Sequence, residues 1–207
     1  MTYDPEEAVA ALARVDAPLG CLMERAGPCL LEARAPYHPF RALMRSIVYQ
    51  QLSGKAAGTI YGRVLDLFPE ADCPEPEQVL ALPDEAFRGA GMSRAKVAAV
   101  KDLAGKTLEG AVPSGQRLNG MPDDEIIRRF TRVRGVGEWT VQMMLIFDLG
   151  RADVLPVKDL GVRKGFMLTY GLNDLPDHAE LLEHGEIWRP YRSVASWYLW
   201  RAVELNG

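Results

Sequence analysis

The chain is poor in the residues that support several common chemistries. It has only three cysteines, Cys21, Cys29 and Cys73, all in the first 73 of its 207 residues. An odd number fits a reducing cytoplasm better than a disulfide framework. The C-terminal two-thirds therefore has no thiolate to bind an iron–sulfur cluster. The three histidines, His38, His178 and His184, show no ligand spacing with one another or with the cysteines, so no catalytic metal is expected. No apolar run approaches the roughly 20 residues a membrane span needs, and no membrane partner is expected. Met1 to Gly20 has no basic start followed by an apolar core, so a secretory leader is not expected either. Strands with period-two alternation and repeats of about 20–50 residues are also missing. What is present is ordinary for a globular protein: 48% hydrophobic and 25% charged residues, with length enough to bury a substantial core. A net charge of −4 and a pI near 5.5 argue, at face value, against a nucleic-acid partner.

The charge is unevenly spread. Between Asp66 and Phe87 there are seven acidic residues and no Lys or Arg. Between Arg128 and Lys164 eight basic residues face four acidic ones, a balance of +4, which leaves −8 on the rest of the chain. Screening over roughly 8–10 Å lets a local basic face bind phosphate on an acidic molecule. Taken alone, such a charge run is more often a solvated helix surface.

Periodicity and capping predict helix after helix, an all-α fold. His38 to Phe68 reads as a long helical run interrupted near Leu52-Ser53-Gly54. Glu77 to Ala81 and Pro83 to Gly89 read as short helices started by proline. Ser93 is a good N-cap for Arg94 to Leu108. Asp123 to Val133 follows Pro122 and carries an acidic first turn that suits the helix dipole. From Glu138 to Leu149, Val141, Met144, Leu145 and Leu149 form an apolar stripe. Asp159 to Tyr170 and Glu186 to Leu205 complete the set.

The most specific local feature is Arg134-Gly135-Val136-Gly137-Glu138-Trp139-Thr140, between two of these helices. Two glycines flanking one apolar residue permit a sharp turn and a close approach of another backbone. Amides at the turn and at the start of the next helix, with the helix dipole, form an anion site that suits phosphate. Val136 is expected to tuck between the helices. Many tight turns between helices contain such a triplet without binding anything. Downstream, Leu155-Pro156-Val157-Lys158-Asp159 leads into a helix. Asp159 reads as an N-cap and also as a carboxylate held where positive charge develops, and the two roles are compatible.

Together these stretches, with three further segments, resemble the helix-hairpin-helix base-excision DNA glycosylases over His38 to Arg201. Ser46-Ile47-Val48-Tyr49-Gln50-Gln51-Leu52-Ser53-Gly54-Lys55 is similar to that superfamily's Gln-Gln-Leu-Ser signature. Gly91-Met92-Ser93-Arg94-Ala95-Lys96 is similar to its Gly-Leu-Ser-x-x-Lys segment. Trp188-Arg189-Pro190-Tyr191-Arg192-Ser193, followed by Trp200, resembles the C-terminal segment of the alkylbase branch, the 3-methyladenine glycosylases of the bacterial inducible type.

The resemblance implies a single glycosylase unit over 1–207, built from two helical subdomains with the active-site cleft between them. One subdomain is expected over about 46–155, ending in its hairpin part at 134–138, and the other over about 1–45 with 156–207. It implies a monofunctional enzyme that flips 3-methyladenine-type and 7-methylguanine-type bases out of duplex DNA and hydrolyses their N-glycosyl bonds. Relatives that also cut the backbone carry a nucleophilic lysine two residues after the second hairpin glycine; Trp139 stands there. Asp159 is the catalytic candidate, as an electrostatic stabiliser or as the base for water. Trp139 and Trp200 match stacking tryptophans, with Tyr49 and Tyr191 as further pocket candidates. Trp197 has weaker support, since such a residue more often packs in a core. Met143 stands where the best-known relatives carry an aromatic residue.

DNA contacts are implied at Gln50, Gln51, Leu52, Ser53 and Lys55, with Gln51 or Leu52 filling the vacated stack. Further contacts are implied at Arg134, Gly135, Val136, Gly137, Glu138, Arg163 and Lys164. Carbonyls of Thr131, Val133 and Val136 are candidates for a structural Na+ or K+; no cofactor is required. The expected partner is duplex DNA containing damaged bases, the expected state a monomer, and the expected place the cytoplasm, on the nucleoid of a bacterium. Two alternatives stay open: a non-enzymatic DNA-binding hairpin module, and a bifunctional glycosylase/lyase for oxidised bases.

Overall fold

The structure, a computed structural model, describes residues 3–33, 38–69 and 74–206; Cys73 and the acidic Glu70 and Asp72 lie outside the described residues. Among these, the chain forms thirteen α-helices, one 3-10 helix and no strand, as the all-α reading requires. In chain order the helices are α1 (Pro5–Val15), α2 (Ala17–Ala26), α3 (Pro39–Tyr49), α4 (Gly54–Leu65) and α5 (Pro76–Ala81). Then come α6 (Asp84–Gly89), α7 (Arg94–Leu108), α8 (Gly115–Leu118), α9 (Asp123–Phe130) and α10 (Glu138–Phe147). Last are α11 (Leu160–Tyr170), α12 (His178–His184), the 3-10 turn Gly185–Trp188 and α13 (Arg192–Leu205).

Short polar side chains fix six of the starts, those of α1, α2, α4, α7, α11 and α12. Ser53 caps α4 through the Ala56 amide at 3.4 Å, and Ser93 caps α7 through the Lys96 amide at 3.3 Å. Asp177 and Glu180 form a reciprocal capping box on α12. The expected helix over Glu186 to Leu205 is instead a 3-10 turn and α13, because Pro190 has no N–H to donate and its ring crowds the preceding turn. α9 stops at Phe130 rather than Val133, and α10 at Phe147 rather than Leu149.

The chain divides into two units, Met1–Ala35 with Gln142–Gly207 and Pro36–Val141. The expected breaks, near 45 and 155, fall later than these. In the unit Pro36–Val141, α7 is central and packs against α3, α5 and α6. Its Val97, Val100 and Leu103 are buried, as are Leu43, Met44 and Ile47 of α3.

In the other unit α13 is central, packed by α11, α2 and α1. Gly165 of α11 lies so close to α13 that a Cβ there would stand 1.9 Å from the Leu199 carbonyl oxygen. The unit also has a buried polar centre at Asp16, 4% exposed. Its Oδ1 accepts the Leu19 amide at 3.1 Å. Its Oδ2 accepts Trp188 Nε1 at 2.7 Å and the Tyr170 hydroxyl, with His184 Nε2 at 3.0 Å. Burial alone would raise the Asp16 pKa, but these donors overcome it and hold the carboxyl below its ordinary value. The same carboxylate and burial push the Tyr170 phenol well above its usual range.

Candidate active site

Asp159 is the N-cap of α11. Its Oδ1 accepts the Val162 amide at 2.8 Å and Trp200 Nε1 at 2.9 Å. The expected cap is therefore present, and the same oxygen also takes a side-chain donor from 41 residues away. Trp200 reaches it because residue 161 is glycine: a Cβ there would stand 2.8 Å from Trp200 Cδ1 and 3.1 Å from Asp159 Oδ1. The Trp200 ring stacks on Phe147, with centroids 5.5 Å apart and planes 28° off parallel. An indole N–H and an amide N–H on one carboxylate oxygen fix its rotamer.

The segment that delivers Asp159 is strapped to the start of α13. Ser193 N donates to Ala152 O at 2.9 Å, and Val154 N donates to Ser193 Oγ at 3.0 Å. Arg192 Nε donates to Asp153 Oδ1 at 2.6 Å, and Arg189 pairs with the same carboxylate. The Asp159 amide then closes a turn onto Pro156 O at 2.9 Å. The Trp-Arg-Pro-Tyr-Arg-Ser segment therefore anchors both ends of its unit: Trp188 binds Asp16, while Arg192 and Ser193 hold the extended stretch before Asp159.

The hairpin lies in the other unit. Gly135 takes φ 76, a left-handed value that favours glycine, and a Cβ there would stand 3.6 Å from Ala99 of α7. Val136 is 5% exposed, the buried pin that was expected. The Arg134 amide donates to Asp102 Oδ2 at 2.7 Å, and the Val136 amide to Val133 O at 3.0 Å. The amides of Gly135 and Gly137 donate to no group among the described residues, and both glycines are exposed. Asp102 also pairs with Lys106; burial would raise its pKa, but the Arg134 amide and Lys106 hold it below the ordinary carboxylate value.

The turn between α3 and α4 is tied to the hairpin by Gln50, whose Nε2 donates to Gly135 O at 2.8 Å. Gln51 is the one non-glycine with positive φ, 57, among the described residues. Gln51 and Leu52 both point to solvent, Leu52 being 39% exposed. Lys96 Nζ donates to Val48 O at 2.7 Å and Gln50 O at 2.8 Å, beneath that turn.

The other expected site residues have these places. Trp139, 49% exposed, is the second residue of α10. Tyr49 carries the Arg45 guanidinium 4.0 Å over its ring and meets Tyr61 edge-on. The Tyr191 ring lies 6.1 Å from that of Tyr3. Met143 is half-buried. Trp197, 8% exposed, packs edge-on against Tyr198. Arg163 turns back to Pro176 O at 2.9 Å, while Lys55, Glu138 and Lys164 are exposed. Ser53 is engaged as a cap.

The sequence reading missed Phe147, Gly161 and Asp102, and quoted Lys96, Arg192 and Ser193 without a role. Phe147 had a usable signal, lying two helical turns after Trp139. Among the described residues no cluster of His, Cys, Asp and Glu could hold a metal, and no helix is long and apolar enough to cross a membrane.

A model of the HhH-GPD superfamily base excision DNA repair proteins matches residues 44–190. DNA-3-methyladenine glycosylase 1 of Schizosaccharomyces pombe is 36% identical over 167 residues, 81% of this chain and 73% of that protein. The solved structure of S. pombe 3-methyladenine DNA glycosylase Mag1 with abasic DNA is similar at TM-score 0.81 and 32% identity, covering 94% of this chain and 95% of that one. A DNA-3-methyladenine glycosidase from Bacillus halodurans is similar at TM-score 0.85 and 38% identity, covering 94% and 88%. The chain belongs to the HhH-GPD superfamily of base-excision DNA repair proteins.

Proposed function

We propose that this protein is a monofunctional DNA N-glycosylase that removes alkylated bases, of the 3-methyladenine and 7-methylguanine types, from duplex DNA in base excision repair. The observation that carries the reading is the carboxylate of Asp159, held by the Val162 amide and the Trp200 indole. A base alkylated at N3 or N7 is already cationic, so the bond to C1′ breaks with its electron pair going to the base. The sugar is left as an oxocarbenium-like cation. A fixed carboxylate stabilises that charge as it forms. Water then adds at C1′ and loses its proton, to Asp159 or to solvent, leaving an abasic site. No lysine occupies residue 139, so no Schiff base forms there and the backbone stays intact.

Base release requires extrusion from the stack first. Gln51 and Leu52 project from the turn after α3 and are the candidates to fill the gap. Trp139 offers an aromatic face to the cationic base, worth about 0.5–2 kcal/mol. The exposed amides of Gly135 and Gly137 suit a phosphate oxygen, with Arg134 beside them. Carbonyl oxygens suit a hard monovalent cation, and the Val133 carbonyl keeps a lone pair besides the one taken by Val136. With Thr131 and Val136 it would hold Na+ or K+, adding positive charge beside the phosphate. The protein acts as a monomer on damaged duplex DNA, in the cytoplasm on the nucleoid of a bacterium.

The test is base release from duplexes carrying methylated, deaminated or oxidised bases, with Asp159→Asn alongside. Release of methylated bases without strand cleavage, reduced at least about 100-fold in the variant at similar DNA affinity, is expected. Binding without release would make the protein a DNA-binding module, and direct strand cleavage would make it a lyase.

A further inference from the structure

The turn that carries Gln51 and Leu52 has a conformation its own residues do not favour. A non-glycine residue in the left-handed region costs on the order of 1–3 kcal/mol and persists only where its surroundings over-determine it. Here the chain leaves α3 at Tyr49 and doubles back through Gln51 at φ 57, closed by the Leu52 amide on Tyr49 O at 3.3 Å. The last carbonyls of a helix have no partner within it, and they carry the negative end of its dipole. Two carbonyls at this end, those of Val48 and Gln50, are both taken by one ammonium, Lys96 Nζ, at 2.7 and 2.8 Å. The Lys96 side chain is part-buried there, and that burial lowers its pKa below the ordinary value.

Lys96 is one of three residues at spacing three on α7. Ala99 lies under Gly135 of the hairpin, and Asp102 accepts the Arg134 amide. Residues three apart share a helix face. One stripe of α7 therefore holds both the extruding turn and the phosphate-binding hairpin, and about 9 Å of helix rise sets the distance between their supports. Gln50 joins the two turns directly.

We propose that Lys96 is a positioning residue for base extrusion: its ammonium locks the end of α3 so that the strained Gln51-Leu52 turn stands ready to enter the stack. This rests on the glycosylase reading above. A residue that supports extrusion matters most when the base must be pulled from a paired, stacked site, and least when it is already unpaired.

The experiment measures single-turnover release of 7-methylguanine from two duplexes, one with cytosine opposite the lesion and one with a tetrahydrofuran abasic spacer opposite. Lys96→Met is expected to slow release from the paired duplex by about tenfold or more, and from the spacer duplex by less than about threefold. Circular dichroism confirms folding at the assay temperature; if Lys96→Met does not fold, Lys96→Gln, which keeps a donor without the charge, carries the same comparison. Equal losses on the two duplexes, or no loss on either, would overturn the proposal. Failure of the wild-type protein to release the base from either duplex would sink the glycosylase reading instead.

Discussion

At the scale of single residues, the proposed chemistry depends on one Asp159 oxygen that takes two donors. Trp200 Nε1 and the Val162 amide both end on Asp159 Oδ1, and the Trp200 ring is backed by Phe147. Trp200→Phe keeps an aromatic ring against Phe147 and removes the donor. A hydrogen bond to a charged group contributes about 1.5–3 kcal/mol, so single-turnover base release should fall roughly 10–100-fold. Affinity for abasic DNA should change little, because that reading needs no oriented carboxylate. A wild-type rate in this variant would mean that the helix cap alone orients Asp159. Asp159 itself was legible in the sequence, because an aspartate after Pro156 and before a helical run is a local signal. Its tie to Trp200 was not, since the partner stands 41 residues away. Spacing marks Trp200 as aromatic but does not say where its N–H goes. Lys96 was illegible for the same reason: its two acceptors lie 46 and 48 residues earlier.

At the scale of elements, the loop before Asp159 and the helix after it are both fastened to α13. Arg192 and Ser193 hold the loop, and Gly165 lets α11 lie directly on the α13 backbone at Leu199. A methyl group at residue 165 has no soft neighbour to displace, since the nearest atoms are backbone. Gly165→Ala should therefore part the two helices and destabilise the fold by about 3 kcal/mol, lowering Tm by roughly 6–12 °C. Because Trp200 follows Leu199, base release should fall further than the loss of folded protein explains. Thermal unfolding alongside an active-site titration separates the two effects, and an unchanged Tm would refute this account of the packing. Most of these elements could be read from caps and periodicity: α7 starts and stops where Ser93 and its apolar stripe put it. α1 and α2, eleven and ten residues long, were not read despite their capping aspartates and early prolines, whereas the other two misses had little periodic signal. α8 and α12 are four and seven residues long, shorter than two full turns of pattern. The break before α13 was written in Pro190, whose missing donor outweighs a helical composition on either side.

At the scale of the whole molecule, the net charge of −4 conceals a division of labour along the chain. The +4 stretch from Arg128 to Lys164 contains the end of α9, the hairpin, α10, the strapped loop and Asp159, and the rest of the chain carries −8. Part of that basic charge is already spent inside the protein. Arg129 pairs with Glu125, and Arg163 is folded onto the Pro176 carbonyl. Each phosphate neutralised by a protein cation contributes about 0.9 to the slope of log K against log salt, and broad DNA binders make roughly 6–10 such contacts. With fewer cations available and an acidic remainder repelling the duplex, the slope on undamaged DNA should be shallower than about −5. Charge reversal in the acidic run, Glu77→Lys with Glu85→Lys, should strengthen non-specific binding at low salt. It should leave the release rate at saturating enzyme unchanged, because neither residue touches the hairpin or Asp159. Titrations of undamaged duplex between low and physiological salt give both quantities. A slope near −8 for the wild-type chain would show that phosphate contacts extend well beyond the basic stretch. In that case the acidic remainder would not be restraining the enzyme on undamaged DNA, and the uneven charge would serve some other purpose.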